Sequence, residues 1–86
     1  MRNISFSPQA YTDYLDWLNK DKKLFMKITD LIKESARTPE KGTGKPERLK
    51  HTLQGYWSRR INKEHRLVYR VSSDAIKIIS CKYHYD

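Results

Sequence analysis

The hydrophobic period changes once along this chain, from about 3.6 residues to 2, and the change falls at a Pro/Gly-rich stretch. Residues 37–46 read Arg-Thr-Pro-Glu-Lys-Gly-Thr-Gly-Lys-Pro, a composition that fits a loop and neither helix nor strand. Before it, Tyr11, Tyr14, Leu15 and Leu18 recur at i, i+3, i+4 and i+7, an apolar stripe on one helix. Ser7-Pro8 supplies its start, a capping hydroxyl followed by a proline at the first helical position. The phase fails at Asp21 and Lys22, which predicts a turn near Asn19–Asp21. A second helix follows, capped by Asp21, with Leu24, Ile28, Leu31 and Ile32 as its stripe. After the loop, Tyr56–Ile61, His65–Val71 and Ala75–Tyr83 alternate in the manner of strands, parted by Asn62-Lys63-Glu64 and Ser72-Ser73-Asp74. A short strand is expected at Glu47–Lys50, and Arg2–Phe6 reads as a first strand. Eighty-six residues hold one modest core. The expectation is therefore a single α+β domain over residues 1–86, with a helical hairpin on one face of an antiparallel sheet.

Alternation also sorts the side chains between the two faces. Trp57, Arg59 and Ile61 share one face of their strand, and Tyr56, Ser58 and Arg60 the other. Leu67, Tyr69 and Val71 oppose Arg66, Val68 and Arg70 in the next. With helices on one side, the other is expected to be open and basic. Net charge is +8 with a sequence pI near 9.7 and a mean hydropathy of −0.90. Residues 41–70 carry nine Lys or Arg against Glu47 and Glu64, so +7 of the charge sits there, while residues 1–40 are nearly balanced. Tyr56, Trp57 and Tyr69 interleave with those cations. Cations and aromatics side by side suit phosphate contacts and base stacking, so nucleic acid is the expected partner class.

Several classes fall away. No apolar run approaches the roughly 20 residues of a membrane helix, and the N-terminus lacks the apolar stretch of a signal peptide, which leaves the cytoplasm. Cys81 has no second cysteine to pair with, and in its apolar run it reads as a buried filler. His51, His65 and His84 show no metal-ligand spacing, the carboxylates do not cluster, and no Gly-rich phosphate loop precedes a Lys-Ser/Thr pair. No metal or cofactor is expected. An enzyme of this composition works with acids, bases and cations alone. RNA cleavage fits that inventory, because the ribose 2′-hydroxyl is a built-in nucleophile. Glu47, His84 and Arg66, each among basic or aromatic neighbours, form the natural set of base or acid and cation. Trp57, Tyr69 and Trp17 are expected to pack, and His51 and His65 to be structural.

Four runs carry a family resemblance: Gly44-Lys45-Pro46-Glu47-Arg48-Leu49-Lys50-His51, Gly55-Tyr56-Trp57-Ser58-Arg59-Arg60-Ile61, Glu64-His65-Arg66-Leu67-Val68-Tyr69 and Cys81-Lys82-Tyr83-His84-Tyr85. In order and spacing they resemble the YoeB branch of the RelE-like ribonuclease toxins, and the similarity spans essentially the whole chain. The resemblance implies a microbial RNase-like fold and cleavage of messenger RNA in the ribosomal A site. It implies Glu47 as general base, His84 as general acid, Arg66 as the cation at the transition state and Tyr85 as the residue orienting the substrate. Lys50 and Arg60 would hold phosphates, with Lys45 and Arg59 counted among the RNA-binding residues and ribosomal RNA as a further partner. It also implies neutralisation by an acidic, YefM-like antitoxin and a capacity to form homodimers. Asp86, beyond Tyr85, departs from the pattern and is expected to draw the pKa of His84 upward. Two other function classes stay open: a gyrase-inhibiting binder of the ParE type on the same fold, and a plain basic nucleic-acid-binding module.

Overall fold

The computed structural model describes residues 1–50 and 55–83. Its elements are β1 (Asn3–Phe6), α1 (Pro8–Lys20), α2 (Lys22–Arg37), β2 (Glu47–Arg48), β3 (Tyr56–Arg60), β4 (Arg66–Val71) and β5 (Ala75–Ser80). They form one five-stranded sheet in the order β1-β5-β4-β3-β2. The α+β class is as expected, but the sheet is mixed. β1 lies parallel to β5, with Asn3 opposite Ala75 and Phe6 opposite Ile78. No tight turn sets its direction, because its partner strand begins 72 residues further along the chain. Here the helical hairpin carries it away first, and the strand joins from the far edge.

The helices start where local chemistry places them. The Ser7 hydroxyl accepts the Ala10 N–H at 3.1 Å, with Pro8 at the first helical position. Asp21 serves both helices. Its N–H donates to the Trp17 carbonyl at 2.9 Å and its carboxylate accepts the Leu24 N–H at 3.1 Å, so the hairpin turns within one residue. The stripe expected for α2 holds, with Ile28, Leu31 and Ile32 buried beside Ser35 and Ala36.

The stripe expected for α1 is rotated. Ala10, Asp13 and Trp17 are its buried residues, whereas Tyr11, Leu15 and Leu18 stay 54, 40 and 39% exposed. Trp17 decides this orientation. Its indole N–H donates to the Cys81 carbonyl at 3.0 Å, fixing that edge of the helix against the end of β5. Ala10 is small enough to let the backbone close in, and the Cys81 sulfur lies 3.8 Å from its carbonyl oxygen. Burying Trp17 outweighs burying two leucines at the rim, since an aromatic of that size covers 150–250 Å².

Ile61, Leu67, Tyr69, Ile76, Ile78 and Cys81 complete the core from the sheet side. Cys81 is fully buried, as expected of a filler, and burial pushes its thiol pKa up to about 12. Trp57 packs half-buried against the core and Tyr69 is sealed within it. All five strands are shorter than expected, β5 by the most. The β4–β5 ladder shifts register between Val68 and Tyr69, and β5 ends at Ser80, after which Cys81–Tyr83 run on outside the strand but stay tied to the start of β4. Among the described residues no helix is long and apolar enough to cross a membrane.

Candidate active site

Register places the expected residues. Glu47 on β2 stands opposite Ser58 on β3, and Ser58 opposite Val68 on β4. Paired residues in an antiparallel ladder point to the same face, so Glu47, Ser58, Arg60, Arg66 and Val68 share the face that carries no helix. There the Arg66 guanidinium meets Glu47, Nη2 to Oε1, at 3.0 Å, and its Nε donates to the Ser58 hydroxyl. The Arg66 side chain is 16% exposed and that of Glu47 is 69% exposed. The cation is thus held from below while the carboxylate reaches into solvent beside it.

A pocket of about 250 Å³ opens at this pair, lined by Gly44, Lys45, Pro46, Glu47, Arg60 and Arg66. Four of the expected site residues therefore converge on one cavity from three separate stretches of chain. One wall needs a glycine. The Arg60 N–H donates to the Gly44 carbonyl at 2.8 Å, and a Cβ on Gly44 would come within 2.8 Å of the Arg60 carbonyl oxygen. Gly44 also has φ +86°, which disfavours any L side chain. Lys50 is exposed just past β2 and does not line the pocket.

Arg59 is corrected. Expected among the RNA-binding residues, it is fully buried on the helix side of β3. Its guanidinium pairs with Glu34 of α2 at 2.7 Å and donates to the Tyr69 hydroxyl at 3.0 Å. Its remaining donors take the carbonyls of Thr38, Lys41 and Thr43. All five N–H groups are occupied. Arg59 is the post around which loop 38–43 is wound, and that loop delivers Gly44–Glu47 to the pocket. Glu34 completes it. The Thr43 backbone N–H, foremost, together with the Thr43 hydroxyl and Arg59, holds its carboxyl below the usual carboxylate range.

His84 and Tyr85, with Asp86 and His51, lie outside the described residues. Their neighbour Tyr83 is anchored twice. Its carbonyl accepts the Arg66 N–H at 3.1 Å, and its own N–H donates to Nδ1 of His65 at 2.7 Å. The His65 ring is buried edge-on to Trp17, with centroids 4.8 Å apart. It is structural, as expected, but its task was not legible: as an acceptor at Nδ1 it ties the segment before His84 to the start of β4. Ser58, the support of Arg66, was also missed. The usable signal was its alternation with Arg60 on the open face. Among the described residues no three of His, Cys, Asp or Glu gather into a metal nest.

Chemically, the pair offers an accessible carboxylate that can take a proton and a guanidinium with free directions toward an anion, beside Lys45 and Arg60. The family model for the YoeB-like toxin of bacterial type II toxin–antitoxin systems matches residues 6–85. The chain belongs to that family. It is 54% identical over 82 residues to toxin YoeB of Escherichia coli K12, covering 95% of this chain and 98% of that one. The YoeB dimer from Staphylococcus aureus superposes with a TM-score of 0.89 at 56% identity, covering 98% of each chain. The toxin in the YoeB–YefM complex from the same organism superposes at 0.88 with 55% identity over 99% of both. The RelE-like arrangement of two helices on one sheet face is therefore shared with solved YoeB toxins.

Proposed function

We propose that this toxin is a ribosome-dependent endoribonuclease that cuts messenger RNA in the ribosomal A site and so stops translation. The observation that carries the reading is the Glu47–Arg66 pair at 3.0 Å on the open sheet face, at the mouth of a pocket shared with Lys45 and Arg60. Glu47 takes the proton from the 2′-hydroxyl, and the resulting oxygen attacks the adjacent phosphorus. Arg66 holds the added negative charge. His84 protonates the departing 5′-oxygen and Tyr85 orients the substrate, leaving a 2′,3′-cyclic phosphate and a 5′-hydroxyl. Base, acid and cation are all side chains in this scheme, which calls on no metal or cofactor. Lys45, Lys50 and Arg60 hold flanking phosphates of messenger or ribosomal RNA, and Arg59 acts only through the loop it anchors. The toxin works in the cytoplasm, is silenced by an acidic YefM-like antitoxin and can pair with a second copy. The Staphylococcus aureus complex and dimer support both partners by similarity.

The test is to incubate the purified toxin with translating ribosomes, map the cut ends, and run a gyrase supercoiling assay in parallel. A-site cuts ending in cyclic or 3′-phosphate are expected, with gyrase unaffected. Gyrase inhibition without RNA cleavage would transfer the chain to the ParE-like class, and 5′-phosphate ends would defeat the 2′-hydroxyl route.

A further inference from the structure

A second groove of about 270 Å³ adjoins the candidate site and shares Gly44, Lys45 and Arg60 with it. Beyond those three it is bordered by Lys27 of α2 and by Asn62 and Lys63 of the β3–β4 turn. Its borders therefore contribute four cations, and no carboxylate lines it among the described residues. The far rim is not a loose fringe of lysines. The Lys27 ammonium donates to the Ile61 carbonyl, which pins a long side chain across from α2 to the end of β3 and leaves two of its three donors for a ligand. The Asn62 side-chain oxygen accepts the N–H groups of Glu64 and His65 at 2.9 and 2.8 Å, which fixes the turn that carries Lys63. Cations held in place by other bonds lose less rotamer freedom when an anion arrives.

We propose that this groove is a phosphate subsite for the nucleotide next to the cleaved bond, with Lys27 and Lys63 as its outer ligands. The inference rests on the ribonuclease reading. A strand whose scissile phosphate sits between Glu47 and Arg66 has to continue past the pocket, and the shared wall of Gly44, Lys45 and Arg60 is a continuous cationic path out of it. An acidic peptide would also be drawn to four cations. The direct continuity with the cleavage pocket favours the polynucleotide.

The experiment measures binding of the full chain to 2′-O-methyl RNA, which has no nucleophile, by fluorescence anisotropy across a salt series. Probes of two nucleotides, which carry only the phosphate of the cleaved bond, and of six nucleotides are compared for the unaltered toxin, Lys63→Ala and Lys27→Gln/Lys63→Ala. Among the described residues Lys63 makes no side-chain hydrogen bond or ion pair, so the single variant remains informative if the double variant folds poorly. The longer probe should bind more tightly to the unaltered toxin. Its salt slope should fall by about 0.7 for each phosphate contact removed, while the slope for the short probe stays unchanged. Equal losses for both probes would mean a diffuse field and no subsite, and would overturn the proposal. So would an unchanged long-probe slope accompanied by weaker binding of an acidic antitoxin peptide, which would make the groove a protein-docking surface. Failure of both probes to bind the unaltered, folded toxin would overturn the RNA reading itself, an outcome distinct from the other two.

Discussion

Arg59 and Arg66 stand on neighbouring strands of one sheet, seven residues apart in sequence, and they are put to opposite uses. Arg59 points to the helix side, is 0% exposed, and spends every donor on Glu34, Tyr69 and three loop carbonyls. Arg66 points to the open side, rests on Ser58 and meets a carboxylate that is itself 69% in solvent. The first has no direction left for a ligand, and the second, among the described residues, keeps several. A guanidinium fork can satisfy five acceptors. Whether it builds the protein or acts on a substrate depends on how many the fold has already supplied.

The comparison is sharpest at the two carboxylates. Glu47→Gln keeps the shape of the open-face pair but removes the proposed base, and should slow ribosome-dependent cleavage by about 10²–10⁴-fold. Its denaturation midpoint should stay near that of the unaltered chain, because an exposed ion pair contributes about 0–1 kcal/mol. A stability loss matching the activity loss would erase the distinction between the faces.

Arg59→Met attacks the other side. It strands a carboxylate and several carbonyls, and breaking a buried pair in this way costs about 3–5 kcal/mol. Urea denaturation should show that loss, with cleavage falling only as far as the folded fraction falls. Arg66→Met should do the reverse, losing cleavage and little stability. An Arg59 variant that stayed fully stable and lost RNA binding would return Arg59 to the RNA-binding face.

A smaller effect separates the two faces by pH. Glu34 has its pKa lowered from 4.5, chiefly by the Thr43 backbone N–H. A carboxyl depressed in the folded state stabilises the fold above its unfolded pKa, and that contribution disappears as pH falls through the folded value. Stability followed from pH 6 downward should therefore decline below about 4.5, and Glu34→Gln should flatten that part of the decline. An identical acid profile in the two proteins would show that the Glu34 cluster does not govern it.

Much of this was open to sequence reading. The change of period at residues 37–46 separated helices from strands, and Ser7 and Asp21 announced the helix starts because capping is local chemistry. Strand alternation sorted each strand into two faces, and the pairing of Arg60 with Arg66 in the structure puts those two on the same one. Alternation equally placed Arg59 with Trp57 on the opposite face, so the information that excluded Arg59 from RNA was present. Charge counting overrode it, since a cluster count ignores which way each residue points. The rotated α1 stripe was not recoverable in the same way. Tyr11, Leu15 and Leu18 are as hydrophobic as a core stripe, and the expected packing of Trp17 was the one sign of another edge, which its bond to Cys81 fixes in the structure. The parallel β1 was hidden for a similar reason. Nothing in four residues records which distant strand they will join.

That distant strand has a consequence for when the molecule can exist at all. β1 waits for β5 across 72 residues, with Ser7 N–H bound to the Ile78 carbonyl, and the start of β4 waits for Tyr83. Contacts this far apart in sequence are slow to close. During synthesis the β2–β3–β4 meander can assemble early, but the core stays open until residues 75–83 have been added and have left the exit tunnel. The last act of folding is therefore the seating of β5 between β1 and β4, and every earlier form of the chain leaves one side of its core uncovered.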